Sequence, residues 1–337
     1  GLGSPFLLDD RSTQNLGDVL DEFALHLGPL SLDHGVVDAL QIAVRVGQNL
    51  VIDPALVCAQ LLEEIGTAED VPALRGLARS LKGAHASPGL GRRLARAVAP
   101  RVFVEDQGRV AVRIGEELVA GTSIRRKVLA FLCYLLSRPG LSATRDQVID
   151  VLWPDLEPEV AVNSLHQTVY FLRRLFEPGF KESLTAGYVH HDSDLVWLDP
   201  ELVTSRSVRC QELIRGIGAS AAPEVVERLS CEYRGRFALD FEYEEWAGPY
   251  RDGLHASYLD VIERNVAADS VAGHFDRAVR LARKALDIDP DADHIEVLLL
   301  RLYRATGAHA AAAEQYAHYA SALRDQLGVE PPTLEAL

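Results

Sequence analysis

Residues 158–176 constrain the fold most strongly, because two different stripes of side chains recur there at the spacing of an α-helix. The apolar stripe consists of Val162, Leu165, Val169, Leu172 and Phe176, and the polar stripe consists of Asn163, Gln167, Tyr170 and Arg174. An apolar stripe of this kind predicts a helix face packed against a core. The polar stripe contains no carboxylate, although the chain has a net charge of −15. Surface helices usually mix charges of both signs, so we expect this face to contact a polyanion.

The negative charge is distributed unevenly along the chain. Residues 1–100 contain 8 basic and 12 acidic side chains, residues 101–198 contain 11 and 13, and residues 199–337 contain 15 and 24. The corresponding net charges are −4, −2 and −9. Phosphate contacts supply most of the affinity in DNA binding. A middle segment this close to neutrality is therefore expected to bind DNA weakly as a monomer and to depend on dimerisation or a partner.

Residues 100–198 show an order of elements that few small folds share. Alternating apolar residues over 102–119 predict an antiparallel sheet of two or three strands. Three helices and a hairpin are predicted next, over Ile124–Ser137, Arg145–Trp153, Pro158–Phe176, and then Leu184–Val189 with Leu195–Leu198. Strands, three helices and a hairpin in this order predict a winged helix, in which residues 158–176 form the helix that reads DNA.

After Pro200 the sequence is helical and contains an internal repeat. Small residues recur 34 positions apart, as in Gly273 with Gly307 and Ala278 with Ala312. A period of 34 residues with small residues at helix crossings is typical of tetratricopeptide repeats. A further predicted helix, Trp246–Ala268, supplies a partner for the first unit. Such helix pairs stack and leave a concave surface for another molecule.

Residues 1–99 precede the winged helix and are predicted to be mostly helical. Asp53-Pro54 begins a helix over Ala55–Ile65, since aspartate is a good N-cap and proline suits the first helical position. Further helices are predicted from Glu69 to Leu81 and over Leu90–Val98. These short helices display no chemistry, so we expect a regulatory segment or the end of a larger sensor region.

Composition narrows the class of protein and its location. No run of 18 uncharged apolar residues is present, so no membrane span is expected, and no signal peptide is recognisable. The cysteines lie far apart, at Cys58, Cys133, Cys210 and Cys231. That spacing favours reduced, structural thiols in a cytoplasm. The predicted fold class is mainly α with a small β component.

The sequence gives little support to an enzyme. A Walker loop, a GxSxG motif and metal-ligand spacing are all missing from it. His190 and His191 lie beside Asp192 and Asp194, but adjacent histidines point to opposite sides of a strand. The acidic run Asp287–Asp293 lacks the glycine that a calcium-binding turn of the EF-hand type needs. We therefore expect no catalysis, no metal and no other cofactor.

Short motifs spread over residues 109–337 point to one family. In the middle segment they are Arg125–Leu132, Asp150–Pro154, Ala161–Leu165 and Phe171–Leu175. In the last segment they are Tyr233–Phe237, Tyr243–Trp246, Tyr303–Gly307 and Leu327–Pro331. In combination these motifs resemble the SARP family of bacterial transcription activators. The resemblance implies an OmpR-type winged helix over residues 100–198 joined to a bacterial transcriptional activation domain over residues 199–337.

The resemblance also implies a function. A protein of this kind is a transcriptional activator that reads promoter DNA in the major groove through helix 158–176 and recruits RNA polymerase holoenzyme. It is expected to act as a homodimer on direct-repeat double-stranded DNA. The chain departs from the commonest family pattern in two respects. A helical segment precedes the winged helix, and His166 stands where arginine is more frequent.

The chemistry of helix 158–176 suggests individual DNA contacts. Asparagine and glutamine can contact adenine bidentately and arginine can contact guanine, and residues near the start of a reading helix usually lie closest to base edges. We expect base contacts from Asn163, Ser164, His166 and Gln167, and phosphate or flanking-base contacts from Tyr170, Arg173 and Arg174. Thr144 and Arg145 begin the preceding helix, where backbone N–H groups and the helix dipole can bind phosphate. Lys181 and His190-His191, near the wing, are expected to touch the backbone or the minor groove, and simple exposure to solvent is the alternative.

Further contacts are implied by the resemblance alone. It places Trp153 and Tyr188 against the phosphate backbone, although a large aromatic side chain at a helix end often packs in the core. It places the acidic loop with Asp155, Glu157 and Glu159 against RNA polymerase. The simpler interpretation of that loop is a solvated acidic turn.

A different class of function is compatible with the same sequence. The chain could be a tetratricopeptide-type interaction scaffold whose winged helix does not bind DNA. The net charge of −2 over residues 101–198 keeps this alternative open. Binding measured against salt concentration separates the two, because a protein that contacts phosphates loses affinity steeply as salt rises.

Overall fold

The computed structural model describes residues 66–72, 74, 91–178, 185–217, 222–334 and 336. The predicted helix Ala55–Ile65 and most of the one from Glu69 to Leu81 lie outside these residues. Contacts between Cα atoms divide the chain into two units, residues 1–101 with 169–190, and residues 102–168 with 191–337. The fold is mainly helical with a small β component, as predicted. Among the described helices, none combines the length and the apolar character that crossing a membrane requires.

The winged-helix segment contains the predicted strands, helices and hairpin in order, with an additional short strand, Ser142–Thr144, between the first two of the three predicted helices. After helix α1 (Arg92–Val98), the strands are β1 Val102–Glu105, β2 Ala111–Ile114, β3 Glu117–Ala120, β4 Ser142–Thr144, β5 Val189–His191, β6 Leu195–Leu198 and β7 Val203–Ser205. The helices are α2 Arg126–Leu136, α3 Arg145–Leu152 and α4 Pro158–Phe176. The bounds of α4 are those predicted, with Pro158 at its start and the apolar stripe following from Val162 to Phe176.

The strands form two sheets. The first has the order β3-β2-β1-β7 and the second the order β4-β6-β5. Strands β1 and β2 are antiparallel, with Val104 opposite Val112. Strand β7 runs parallel to β1, with Phe103 opposite Thr204. Strand β7, which follows Pro200, therefore extends the sheet that precedes the winged-helix helices, a pairing that the sequence did not predict.

The first strand of the wing was predicted over Leu184–Val189, but residues 185–188 are not a strand and β5 is Val189–His191. We expected the turn of the hairpin to begin at His190, whereas β5 continues through His191. The carboxylate of Asp192 accepts hydrogen bonds from the backbone N–H groups of Asp194 at 2.9 Å and Leu195 at 2.8 Å. These backbone bonds hold the pKa of Asp192 below its usual value. The tight turn they close leaves the residues before Asp192 available for the strand.

The last segment is a stack of helices around its own apolar core. The helices are α5 Arg206–Gly216, α6 Pro223–Glu232, α7 Gly248–Ala272, α8 Phe275–Ile288, α9 Asp293–Ala305 and α10 His309–Ala322. Neighbours in the chain from α7 to α10 are in contact with one another. The core is apolar and mostly aliphatic, with Tyr233 and Tyr258 stacked at 3.9 Å between ring centroids.

The predicted 34-residue repeat appears as repeated geometry. Gly273 and Gly307 follow helices and have φ angles of +76° and +72°, a region that glycine adopts without steric cost. The N–H of His274 donates to the carbonyl of Asp269 at 2.8 Å, and 34 residues later Ala308 donates to Tyr303 at 2.8 Å. The alanines that share this spacing, Ala278 and Ala312, are buried at the helix crossings.

Asp106 connects the first sheet to the helical segment within the second unit. Its carboxylate accepts the N–H of Ser207 at 2.8 Å and the hydroxyl of Ser207 at 2.6 Å. Its backbone carbonyl accepts the N–H of Ala238 at 2.7 Å. The side chain is completely buried, and burial raises its pKa to about 6 despite these hydrogen bonds.

Charged side chains reinforce the same connection. Arg206 donates to Glu105 at 2.6 Å and to Glu232 at 2.9 Å, with only 14% of its side chain exposed. Its hydrogen bond to Glu105 lowers the pKa of that carboxyl. Farther along, the carboxylate of Asp240 accepts the N–H of Val110 at 2.7 Å. The first sheet is thus held to the helical segment by hydrogen bonds at both ends of the connection between β1 and β2.

Candidate nucleic-acid interface

Helix α4 is amphipathic, as its sequence predicted. Leu165 and Leu172 are fully buried, and Val169 and Phe176 are each 2% exposed. Val162, predicted to be in the core, is only half-buried, while the neighbouring Ala161 is fully buried. The small side chain of Ala161 allows close packing at the start of the helix. Ala161 therefore takes the buried position there that Val162 was predicted to occupy.

The opposite face of α4 is open to solvent. Its exposed side chains are Asn163, His166, Gln167, Tyr170 and Arg174. Between residues 160 and 176 the helix contains no aspartate or glutamate. From Val160 onward the helix therefore presents hydrogen-bond donors and acceptors, with a positive charge toward its end, and its one carboxylate is Glu159 in the first turn.

Two hydroxyl groups on α4 bond to the helix itself. Ser164 Oγ donates to the carbonyl of Val160 at 2.9 Å, and Thr168 Oγ1 donates to the carbonyl of Ser164 at 2.8 Å. The Ser164 hydroxyl has thus used its donor and keeps lone pairs that can accept a hydrogen bond. A base amino group is the natural partner for such an acceptor. Thr168 is 5% exposed and lies away from the open face.

Tyr170 orders the arginine one turn later. The guanidinium carbon of Arg174 lies 5.9 Å from the centroid of the Tyr170 ring, and its Nη1 lies 3.5 Å from the tyrosine hydroxyl. Tyr170 in turn contacts the edge of Phe171 at 5.6 Å between centroids. The arginine is therefore guided along the helix surface, where phosphate would meet a partly oriented guanidinium group.

Arg173 has a structural role beside its predicted one. Its Nε donates to the carbonyl of Val189 at 3.1 Å, and its side chain is half-buried. The bond connects α4 to strand β5. Arg173 therefore positions the strand that leads into the wing.

The predicted phosphate site at the start of α3 is wrong in its backbone part. The N–H of Thr144 donates to Gln147 Oε1 at 3.0 Å, and the N–H of Gln147 donates to Thr144 Oγ1 at 3.2 Å. The N–H of Arg145 donates to the carbonyl of Asp194 at 2.8 Å. These amides are committed to a capping box and to the hairpin, so they are not available to phosphate.

The side chain of Arg145 remains a candidate. Its Nε is buried and has no hydrogen-bond partner among the residues that the structure describes. The nearest carboxylate oxygen, from Asp146, lies 3.9 Å away. A buried donor without a partner costs free energy, and an incoming phosphate oxygen would satisfy this one.

Two aromatic residues expected at the DNA backbone lie in the core instead. Tyr188 is 2% exposed, and its hydroxyl donates to the carbonyl of Pro100 at 2.6 Å. Burial raises the pKa of Tyr188 to about 12. Trp153 is 9% exposed, with the Lys127 ammonium group 6.0 Å from its ring centroid. Packing of these large rings stabilises the helices and the wing, so we remove both residues from the interface.

In the wing, one of the two adjacent histidines lies beside α4. His191 is half-buried, and its ring lies 5.2 Å from that of His166 on α4. His190 is also half-buried. Because side chains alternate along a strand, His190 and His191 point to opposite sides, and the ring contact identifies His191 as the one beside α4. Lys181 lies outside the described residues.

The acidic loop before α4 is open to solvent and contains apolar side chains as well. Asp155, Glu157 and Glu159 are all exposed. Leu156 is 41% exposed and Val160 is 51% exposed. The loop therefore exposes two apolar side chains beside its three carboxylates. Sequence reasoning selected the acids and missed these two apolar neighbours, which alternate with them.

Comparison with known proteins defines the class. Residues 209–337 match the model of the family described as bacterial transcriptional activator domain. The regulatory protein AfsR of Streptomyces coelicolor is 27% identical over 241 residues, which cover 67% of this chain and 23% of that protein. The last segment is therefore similar to a bacterial transcriptional activator domain, and about two thirds of the chain is similar to a regulatory protein.

One solved structure is similar to this chain in fold. Mycobacterium tuberculosis EmbR, in complex with a low-affinity phosphopeptide, superposes with a TM-score of 0.51 at 22% identity. The match covers 70% of this chain and 64% of that one. Together with the activator-domain match, this fold confirms the resemblance to the SARP family that the sequence predicted. The chain spans less than a quarter of the length of AfsR.

Proposed function

We propose that this protein binds double-stranded promoter DNA through the open face of α4 and activates transcription. The observation that carries the proposal is the contrast between the two faces of this helix. One face is buried, and the other exposes Asn163, Gln167 and Arg174, with a carboxylate only at Glu159 in the first turn. The major groove of DNA admits an α-helix, and amide and guanidinium side chains recognise adenine and guanine there.

The length of α4 supports a division of roles. Asn163 and Arg174 are 11 positions apart, which corresponds to about 16 Å along a helix. The major groove is about 12 Å wide. When the first half of the helix lies against bases, the second half reaches the flanking phosphates. Asn163, His166 and Gln167 then read bases, while Tyr170 and Arg174 contact the backbone.

Recruitment of RNA polymerase holoenzyme is the second part of the proposal. The loop containing Asp155, Glu157 and Glu159, with the exposed Leu156 and Val160, provides acidic and apolar groups for the polymerase. The protein acts in the cytoplasm as a homodimer on direct repeats. A second copy supplies the additional phosphate contacts that a winged helix with so little net charge needs.

The DNA-binding part is tested by footprinting and by affinity. The full chain is footprinted on fragments of its own genome, and the protected sequence is used as a probe in fluorescence anisotropy. Gln167→Ala should weaken binding about 5- to 100-fold, since one bidentate base contact contributes about 1–3 kcal/mol. Arg283→Ala, at an exposed arginine of α8, is the control and should bind normally. Equal affinity of both variants would exclude α4 as the reading element.

The polymerase part needs an assay in which DNA affinity is held constant. Asp155→Ala and Glu157→Ala together should reduce transcription from the footprinted promoter in a purified system without changing affinity for the probe. Glu263→Ala, at an exposed glutamate of α7, is the matched control. Normal transcription with the double variant would remove the loop from the proposed polymerase contact.

The interaction scaffold remains the competing function, favoured by the acidic, tetratricopeptide-like last segment. It predicts that no genomic fragment is protected in the footprint. It also predicts that any residual affinity for DNA is independent of sequence.

A further inference from the structure

A short segment before α7 exposes a tyrosine almost completely. In residues 239–245, which we call the tyrosine loop, Tyr243 is 94% exposed and Leu239 is 42% exposed. Glu242 and Glu245 are exposed as well. The tyrosine loop therefore presents an aromatic ring, an aliphatic side chain and carboxylates to solvent.

The backbone of the tyrosine loop is fixed from two sides. Arg251 of α7, itself 9% exposed, donates to the carbonyl of Phe241 at 3.3 Å and to that of Glu242 at 2.9 Å. Arg126 of α2 pairs with Glu244 at 3.0 Å. A side chain on a fixed backbone loses less conformational freedom when it binds, and tyrosine is among the residues that contribute most to protein interfaces. The exposed ring is therefore suited to anchor a partner.

The outer face of the first sheet carries a row of side chains across three strands. Phe103 on β1 lies opposite Arg113 on β2, which lies opposite Leu118 on β3. Opposite residues of paired strands point to the same face. Val104 and Val112, one position along, are fully buried on the other face. Leu118 is 58% exposed and the side chain of Arg113 is 51% exposed, so this row faces solvent.

Arginines give this row a positive charge. The guanidinium carbon of the exposed Arg209 lies 4.4 Å from the ring centroid of Phe103. Nearby, Arg206 binds both Glu105 at 2.6 Å and Glu232 at 2.9 Å. With the arginine of the row, three arginines stand against two carboxylates, so the face is positive. We call the following residues the arginine face: Phe103, Arg113, Leu118 and Arg209.

We propose that the tyrosine loop of one copy packs on the arginine face of a second copy of this chain. The aromatic and aliphatic side chains of the two surfaces then meet, and the carboxylates of the loop lie against the arginines of the face. Complementary charge of this kind fixes the register of an interface and disfavours wrong partners.

The two surfaces differ, so the contact between copies is heterologous. A heterologous contact can join copies in the same orientation, as the half-sites of a direct repeat require, whereas a two-fold contact reverses one copy. This role on DNA rests on the proposed binding to direct repeats. The association itself does not require DNA.

Two measurements on the full chain test the contact. Sedimentation equilibrium at low salt measures self-association, and fluorescence anisotropy compares a probe that contains one half-site with a probe that contains two in tandem. Tyr243→Ala should weaken self-association and the cooperativity on the tandem probe about 10- to 30-fold, as expected for an interface tyrosine. Leu118→Glu should do the same from the other surface. Val271→Ala, at a side chain of α7 that is 92% exposed, is the control and should behave as the unaltered chain does.

Mixing the two variants guards against a folding defect. The copy with Tyr243→Ala keeps an intact arginine face, and the copy with Leu118→Glu keeps an intact tyrosine loop. The mixture should therefore regain association and cooperativity that neither variant has alone. A mixture as weak as its components overturns the proposal, and so does unchanged association in either variant.

The remaining outcomes separate this inference from the proposed function. An unaltered chain that neither self-associates nor binds the tandem probe cooperatively overturns the contact, even when it binds a single half-site. Association that both variants weaken, in a chain that protects no promoter DNA, supports the contact and contradicts the proposed function. Loss of transcription in Tyr243→Ala with normal self-association assigns the tyrosine loop to RNA polymerase and overturns the proposal.

Discussion

Replacing Asp106 by asparagine should stabilise the protein at neutral and alkaline pH. Asp106 is completely buried, and its pKa is raised from 3.8 to about 6 because burial disfavours the charged carboxylate. Above pH 6 the native state must keep this charge in its interior. Asparagine preserves the shape and an oxygen acceptor for the N–H of Ser207, and it never ionises.

The shift in the pKa of Asp106 determines how much stability the substitution can add. One pKa unit corresponds to about 1.4 kcal/mol, so the shift of about two units corresponds to about 3 kcal/mol. The folded-state pKa of Asp106 is higher than the unfolded one. The protonated Asp106 side chain therefore contributes its full stability below about pH 4, and this contribution is lost as the pH rises through 6. In asparagine an NH₂ group takes the place of the carboxylate oxygen that accepts the Ser207 hydroxyl. The hydroxyl must then rotate to accept a hydrogen bond, which offsets part of the gain. We therefore expect Asp106→Asn to raise the free energy of unfolding at pH 8 by about 1–3 kcal/mol.

Urea unfolding followed by tryptophan fluorescence at pH 5, 6, 7 and 8 measures this difference. The gain from Asp106→Asn should be largest at pH 8 and should shrink toward pH 5. Ser207→Ala is the control, because it removes hydrogen bonds without removing the charge and should destabilise the protein throughout. A loss of stability in Asp106→Asn that is the same at pH 5 and pH 8 would refute the reasoning, since the carboxylate would then be a net stabilising group.

Further predictions concern the repeat turn, a buried hydrogen bond and the wing. Gly273→Ala should cost about 1–2 kcal/mol of unfolding free energy, because φ there is +76° and a Cβ strains the backbone in that region. An added Cβ meets no other atom within 4 Å, so a steric clash contributes nothing to this cost. Gly253→Ala, within α7, should instead stabilise by about 0.5–1 kcal/mol, and equal effects at both glycines would contradict this account. Tyr233→Phe should cost about 1–3 kcal/mol in a urea melt, because the Tyr233 hydroxyl lies 2.8 Å from the buried Nδ1 of His255; an unchanged midpoint would argue against it. Asp192→Ala should speed hydrogen exchange of the turn amides several-fold and Asp192→Asn should not, as mass spectrometry can measure.

The sequence predicts the helices better than the sheets. Helix α4 has the predicted bounds because five apolar residues at helical spacing fit an amphipathic helix and no other regular structure. The 34-residue repeat was equally readable, since Gly273 and Gly307 mark equivalent turns. Strand β7 was not predicted, because three residues after Pro200 carry no alternation and its partner β1 lies about 100 residues earlier in the chain. Pairing over such a distance depends on the whole fold.

The candidate site shows the same limit. Exposure of Asn163, Gln167 and Arg174 followed from periodicity, which is local. The burial of Tyr188 did not, because it depends on the distant carbonyl of Pro100. The backbone amide of Arg145 was likewise expected to meet phosphate, but the hairpin supplies its acceptor. Sequence patterns identify which face of a helix is polar, whereas the partners of each polar group come from tertiary structure.

The central claim is that the open face of α4 contacts the phosphates and bases of a DNA duplex. The most direct measurement is the salt dependence of affinity for the footprinted promoter sequence, compared between the unaltered chain and Arg174→Ala. We expect a steep linear fall of log K with log salt concentration, and a slope that is shallower in Arg174→Ala by about 0.9 for each phosphate that Arg174 neutralises. An affinity that does not change with salt, or identical slopes for the two proteins, would contradict it.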